Sequence, residues 1–361
     1  MNKFAFIIHP MDLKRDAARK YPILKYLPLI AVEEIAKRIS PKVMSHITGI
    51  ESPTGAKAEG WFVGCPLSPD QQLKLPVEFV YEKIADTGRL GAELGAKIVG
   101  LGAFTSVVGD AGVTVAKKLD GVISVTSGNS YTVYTAIEGL LGAAERMETD
   151  VPNAKVAIIG ATGSIGAVCA QLLAPKVAAI SLAGRNAEKL EELQKRVEAT
   201  PNCRAQISYA TEVKEALHDA DLILAVSSAV DAVIFPEDLK SGAVVCDVAR
   251  PRDVSKTVTE KRPDVLVIEG GVIEIPGAVN FNFNFGFPDK TAYACMSETI
   301  LMALEGTYEP YTLGRDLTVE QVERIGQIAQ KHGFKLAGFR SFESALSDSD
   351  IETVRRHAKK N

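Results

Sequence analysis

The sequence is poor in the residues that staple a chain or bind metal tightly. It has 5 cysteines and 1 tryptophan in 361 residues, and aromatics make up 6%. Cys65, Cys169, Cys203, Cys246 and Cys295 are scattered, and no two form a CxxC pair. A zinc site is therefore not expected, and no metal is assigned. An odd, dispersed set of thiols fits a reducing compartment better than a disulfide framework, so the expected location is cytoplasmic. No stretch offers about 18 uninterrupted apolar residues, so no spanning helix is expected. The apolar run Phe4 to Ile8 is too short for a secretory signal. Neither sign of charge dominates: Lys plus Arg is 41, Asp plus Glu is 45, and the net charge is −4. That balance gives no support for a nucleic-acid partner.

What is present is ordinary globular material, 46% hydrophobic and 24% charged. It excludes disorder, collagen and coiled coil, and the length suggests about two domains. A turn cluster at Thr149 to Asn153 marks a change of character. Beyond it, short apolar runs alternate with helical stretches. Strands are expected at Val156–Ile159, Ala178–Leu182, Ala205–Tyr209, Leu222–Val226, Ala243–Cys246 and Val265–Ile268. Helices are expected at Ser164–Ala174 and Ala187–Ala199. Such alternation implies βαβ units and a doubly wound parallel sheet. The expected plan is a smaller α/β substrate domain over residues 1–150, ending in a linking helix at Ser130–Met147. A Rossmann domain follows over 151–290, then C-terminal helices over 291–361 that pack back on the first domain. Thr318 with Gln321, and Ser349 with Glu352, read as capping boxes.

The strongest local signal is Val156-Ala-Ile-Ile-Gly160-Ala-Thr-Gly163-Ser-Ile-Gly166. It follows a predicted strand and opens a predicted helix, the context a dinucleotide fingerprint requires. Gly160 permits the tight turn, Gly163 lets the backbone approach a pyrophosphate, and Gly166 allows close helix packing. Thr162, Ser164 and Ile165 complete the loop, whose free N–H groups and helix dipole suit phosphates. The spacing is GxxGxxG rather than GxGxxG, so a glycine-rich turn without a ligand is the competing reading. An NAD site would end the second strand with an acid. Here that strand ends Ala183-Gly184-Arg185-Asn186. Arg185 suits a 2′-phosphate, which favours NADPH, with Asn186 beside it.

Cys295 lies in Tyr293-Ala-Cys-Met-Ser-Glu298, with Asp289 as a candidate cap that puts the thiol just beyond the first turn. From the residues alone, core packing competes with a reactive role.

Several segments form a set: Leu101-Gly-Ala-Phe-Thr-Ser106, Thr126-Ser-Gly-Asn-Ser-Tyr-Thr132, the glycine loop, Ala183-Gly-Arg-Asn186, Glu269-Gly-Gly-Val272, Tyr293-Ala-Cys-Met-Ser-Glu298 and Lys331-His-Gly-Phe334. In this order the set resembles the long-chain acyl-[acyl-carrier-protein] reductases of cyanobacteria and their bacterial relatives. The resemblance implies NADPH-dependent reduction of a fatty acyl thioester to a fatty aldehyde, with Cys295 as the residue that carries the acyl group. It implies an acyl carrier protein or acyl-CoA as donor, an aldehyde-consuming enzyme as a further partner, and peripheral contact with membranes. Ser127, Asn129 and Ser130 are the candidate oxyanion donors, with ordinary turn chemistry as the alternative. An acidic carrier protein would meet the basic stretch Lys14, Arg15, Arg19, Lys20 and Lys25. The segment Val272-Ile-Glu-Ile-Pro-Gly277 and the Asn-Phe alternation after it depart from the family. Chain length and carrier preference therefore stay open.

Three rivals remain. The two-domain plan resembles shikimate dehydrogenase, a shikimate/quinate-type oxidoreductase, although Asn129-Ser130-Tyr131 lacks the acid expected there. Asp247-Val-Ala-Arg-Pro-Arg-Asp253 resembles a stretch of glutamyl-tRNA reductase. A non-catalytic NADPH-binding regulatory protein is the third.

Overall fold

Two six-stranded sheets organise the chain. A computed structural model describes residues 1–20, 26–229, 231–284 and 286–359. The sheet strands are β1 (Asn2–Ile8), β2 (Lys42–Glu51), β3 (Lys57–Gly64), β4 (Ile98–Leu101), β5 (Ser124–Thr126), β6 (Lys155–Ile159), β7 (Ala179–Ala183), β8 (Gln206–Ala210), β9 (Leu222–Ala225), β10 (Val244–Asp247), β11 (Leu266–Glu269) and β12 (Gly277–Asn280).

The second sheet is wholly parallel, in the order β8-β7-β6-β9-β10-β11. This is the doubly wound dinucleotide-binding order, whose strand sequence reverses between β6 and β9. β6, β9 and their inner neighbours read as mostly apolar runs because both faces are covered, whereas the edge strand β8 exposes Gln206, Ser208 and Tyr209. Val156, Ile158, Ile180, Leu182 and Leu224 face one core, while Ala157, Ile159, Ile223 and Val245 face another. The helix Ser164–Leu173 follows β6, and the helix Ala187–Glu198 follows β7. The fold is a Rossmann-type α/β sheet with a second α/β unit, as the alternation predicts.

The first sheet is mixed, in the order β12-β2-β3-β1-β4-β5. β3, β1, β4 and β5 run parallel, while β2 opposes β3 and β12 opposes β2. The β2–β3 hairpin escapes a periodicity reading. β2 leaves Val43 and Met44 partly in solvent and buries Ser45, and its pairing with β3 shifts register twice.

The residues part into two compact units, and their bounds differ from those read in the sequence. The first unit holds Met1–Gly128, Glu274–Asp316 and Gln327–Lys335; the second holds Asn129–Ile273, Leu317–Gly326 and Leu336–Asn361. The helix Asn129–Arg146 belongs to the second because Leu140, Ala143 and Ala144 pack with Val156 and Ile158. Glu274–Asp316 belongs to the first because β12 extends its sheet and the helix Ala294–Glu305 packs on β1 and β4. The final helix, Asp348–Ala358, buries Ile351 in the second unit's core rather than returning to the first.

The Thr318–Gln321 capping box forms, each backbone N–H donating to the other's side chain. The last box forms two residues earlier than expected, at Ser347 and Asp350. Among the described residues no helix is long and apolar enough to cross a membrane. Lys14, Arg15, Arg19 and Lys20 lie on the helix Leu13–Lys20, where Arg15 meets Asp16 at 3.4 Å. Lys25 lies outside the described residues.

Candidate active site

In the second unit, the turn after β6 is a cradle that only glycine can form. Gly160 has φ +83°, and a Cβ there would stand 2.6 Å from the Ser227 Cα. A Cβ on Gly166 would stand 2.7 Å from the Gly160 carbonyl oxygen. The turn is tied down: Gly160 and Ala161 both donate to the Ala183 carbonyl, and Gly163 donates to that of Gly160. Gly163 is the N-cap of Ser164–Leu173 and makes no side-chain cap bond. The first N–H groups of a helix have no partner within it, so they are directed at a ligand position. Thr162 and Gly163 are exposed, and Ser164 and Ile165 are half-buried. These residues fit a dinucleotide pyrophosphate.

Arg185 is exposed just past the end of β7, beside this turn; a Cβ on Gly184 would touch the Thr162 side chain at 3.4 Å. No carboxylate stands at the end of β7. Asn186, expected as a cofactor ligand, is the N-cap of the helix Ala187–Glu198, its Oδ1 accepting from the Lys189 N–H at 2.9 Å. Its oxygen is therefore engaged by the helix.

Across the strand reversal lie groups the sequence reading left without a role. Ser227 follows β9, and its N–H and hydroxyl donate to Asp253 at 2.8 and 2.5 Å. Asp247 ends β10 and accepts from the N–H groups of Ala249 (3.0 Å) and Val254 (3.1 Å). Burial raises both acids, Asp247 to about 6. Together they fix the loops that face Gly160. The strand–loop pattern Asp247 to Asp253 was the only signal for them.

In the first unit, β1, β3, β4 and β5 all end on one edge, and Cys295 is held at that edge. Its helix begins at Ala294, with Tyr293 as N-cap, so Asp289 is not the cap. Cys295 therefore lies inside the first turn rather than beyond it. There the helix dipole acts on the side chain more strongly than it would beyond the first turn. Ala294 and every residue from Met296 to Leu304 are buried, while Cys295 is half-buried. The helix rests on the sheet through two glycines. Gly100 admits Thr299, whose Oγ1 a Cβ there would meet at 2.0 Å, and Gly128 admits Cys295 itself. The other thiols differ. Burial pushes Cys65, Cys169 and Cys246 up, the last to about 12. Cys203 is half-buried, with its Sγ 3.8 Å from the Ala205 carbonyl oxygen.

Around Cys295 the turn Thr126–Gly128 is fastened by a buried network that the sequence did not announce. Glu298 is wholly buried, and its Oε1 accepts from the hydroxyls of Thr126 and, at 2.8 Å, Thr312. Thr312 has φ +52°, a conformation that costs a β-branched residue about 1–2 kcal/mol. Ser127, expected as an oxyanion donor, is buried and gives its hydroxyl to the Thr312 carbonyl. It is a fastening of the turn. Ser130 is fully buried at the start of Asn129–Arg146, and Asn129 is half-buried there. His9, one residue past β1, accepts from the Phe104 N–H at 3.3 Å and faces the Pro10 carbonyl at 3.3 Å. Burial lowers its pKa, and Nε2 holds the turn after β4 while Nδ1 faces the backbone next to it.

Residues 142–269 match the family model of shikimate / quinate 5-dehydrogenase. The aminotransferase PigE of a Serratia strain is 30% identical over 98% of the chain. The chain spans 42% of that protein's length. The long-chain acyl-[acyl-carrier-protein] reductase of Synechococcus elongatus is 28% identical over 82% of the chain and 87% of its own length. Among solved structures, L-tryptophan dehydrogenase from Nostoc punctiforme aligns at 12% identity, covering 100% of this chain and 89% of that one, with a TM-score of 0.43. Quinate dehydrogenase from Corynebacterium glutamicum, solved with NAD, aligns at 12% identity, covering 73% and 87%, with a TM-score of 0.36. The family model and the reductase relative support an NAD(P)-dependent oxidoreductase related to these Rossmann families.

Proposed function

We propose that the chain reduces a long-chain fatty acyl thioester to a fatty aldehyde, with NADPH, through a thioester on Cys295. The acyl donor is an acyl carrier protein or acyl-CoA, and the basic stretch from Lys14 to Lys25 is the proposed dock for an acidic carrier. One observation carries the reading most: Cys295 is the half-open position in the first turn of a helix buried at Ala294 and from Met296 to Leu304, at the carboxyl edge of parallel strands. A structural cysteine on that helix would sit among its buried neighbours.

The Cys295 thiolate attacks the thioester carbonyl, and the carrier leaves as a thiolate that takes a proton from solvent. The acyl group stays on Sγ, which holds its carbonyl in place and splits one hard step into two easier ones. The cradle Gly160–Gly166 would hold the pyrophosphate, and Arg185 would hold the 2′-phosphate. When bound, NADPH supplies the hydride that reduces the acyl carbonyl. Backbone N–H groups of the first turn beside Cys295 are the proposed stabilisers of the oxyanion. Departure of the aldehyde returns the Cys295 thiolate.

The test is mass spectrometry of the protein mixed with acyl-carrier and acyl-CoA thioesters, with and without NADPH. An acyl adduct on Cys295, absent in Cys295→Ser, and aldehyde on adding NADPH are expected. No adduct and no aldehyde with any chain length would sink the reductase reading. The shikimate-type and regulatory readings would then stand in its place.

A further inference from the structure

We propose that Glu298 is a positioning residue for Cys295, acting through Thr126, and that this is why an acid is kept in the core of the first unit. The proposal rests on the reading of Cys295 as nucleophile and deepens it.

Glu298 lies three residues beyond Cys295, so the two side chains are neighbours on one helix. Its carboxyl is fully buried. A buried acid is costly unless its oxygens are satisfied, and a leucine there would need no partners. The partners it has lead to one place. Thr126 donates its hydroxyl to Oε1 and in turn accepts from the Gly128 N–H at 3.3 Å. Gly128 lies against the Cys295 backbone, with φ +79° and space for no side chain. Thr312 binds the same Oε1 at 2.8 Å, and its carbonyl takes the Ser127 hydroxyl. Both ends of the turn Thr126–Gly128 are thereby referred to a single oxygen on the cysteine's own helix. The turn and the thiol are set by one rigid piece rather than by two that drift apart.

A group that only held up the core would change stability and leave the thiol's reactivity alone. A group that positions the turn must change the rate at which Cys295 is acylated. Glu298→Gln keeps an acceptor oxygen, and Thr126→Val keeps shape while removing the hydroxyl. Three rates are measured on each folded variant: acyl transfer from an acyl thioester to Cys295, alkylation of Cys295 by iodoacetamide, and alkylation of Cys203 as an internal control. Thr126→Val and Glu298→Ala are expected to slow acyl transfer by on the order of tenfold to a hundredfold, as a misplacement near 1 Å does. KM for the thioester is expected to move less than about twofold, with Glu298→Gln restoring most of the rate. The Cys295 alkylation rate should shift in the same variants, and that of Cys203 should not. If Glu298→Ala does not fold, Thr126→Val decides. Acyl-transfer and alkylation rates within about twofold of wild type in folded Thr126→Val would overturn the proposal. A wild-type chain that takes no acyl group, but whose Cys295 alkylation still follows the variants, removes the substrate reading and leaves the positioning role standing.

Discussion

A Cβ built on Gly128 would lie 2.4 Å from both the Cα and the Cβ of Cys295. The turn after β5 and the first turn of the cysteine helix thus share a contact that no other residue can make.

Gly128→Ala must relieve that overlap and also hold a left-handed φ of +79°. We expect a loss of more than about 2 kcal/mol in unfolding free energy, summing the backbone penalty and the overpacking. Denaturant unfolding measures it, and the Cys295 alkylation rate should change alongside. An unchanged midpoint would mean the turn can move away from the helix.

Arg185→Ala should separate the two nicotinamide cofactors. Loss of a guanidinium–phosphate contact predicts NADPH binding weaker by about tenfold or more, with NADH within about twofold. Fluorescence titration of each cofactor gives both numbers. Equal weakening would mean that Arg185 does not read the 2′-phosphate.

Gly166→Val should weaken either cofactor, because its Cβ would press on the Gly160 carbonyl at 2.7 Å. Overpacking of this kind costs about 1–3 kcal/mol and displaces the helix N-terminus from the loop. Retained cofactor affinity in a folded variant would remove the cradle from the binding site.

Asp247 gives a pH signature of stability. Burial raises it from 3.8 to about 6 in the folded protein, against an ordinary carboxylate in the unfolded chain. The folded state therefore holds the proton more tightly, and stability falls as pH rises from about 4 to about 6. The tighter hold on that proton corresponds to a loss of about 3 kcal/mol across the window. In Asp247→Asn the Asp247 part of that slope should vanish in unfolding measured between about pH 4 and 7. The same slope in both proteins would show that Asp247 is not its source.

The second unit was largely legible in the sequence, because parallel strands buried on both faces write themselves as unbroken apolar runs. Val156–Ile159 and its successors were placed within a residue or two, and the glycine loop announced itself through spacing. The first unit was harder. The β2–β3 hairpin has one face half in solvent and shifts register, so no clean period of two survives. The helix Asn129–Arg146 looked like a linker because its apolar face does not say which core it serves. The resemblance singles out Cys295 as a candidate, but not its place in the first turn. That place depends on where β-structure at Thr291–Tyr293 gives way to helix. Glu298 was invisible for a different reason. An acid in an apolar run gives no sign of the two threonines, 172 and 14 residues away, that satisfy it.

The helix that carries Cys295 leaves little room for adjustment. Almost every side chain from Ala294 to Leu304 is committed to packing, and two glycines, one in β4 and one just past β5, are shaped to it. Each of Ile300, Leu301 and Met302 represents about 1.5–3 kcal/mol of burial. On the proposed reading, diversity in what this protein accepts must arise elsewhere, in the loops brought to the thiol. A library built on Ala294–Leu304 would sample folding defects, whereas one built on the strand-edge turns would sample specificity.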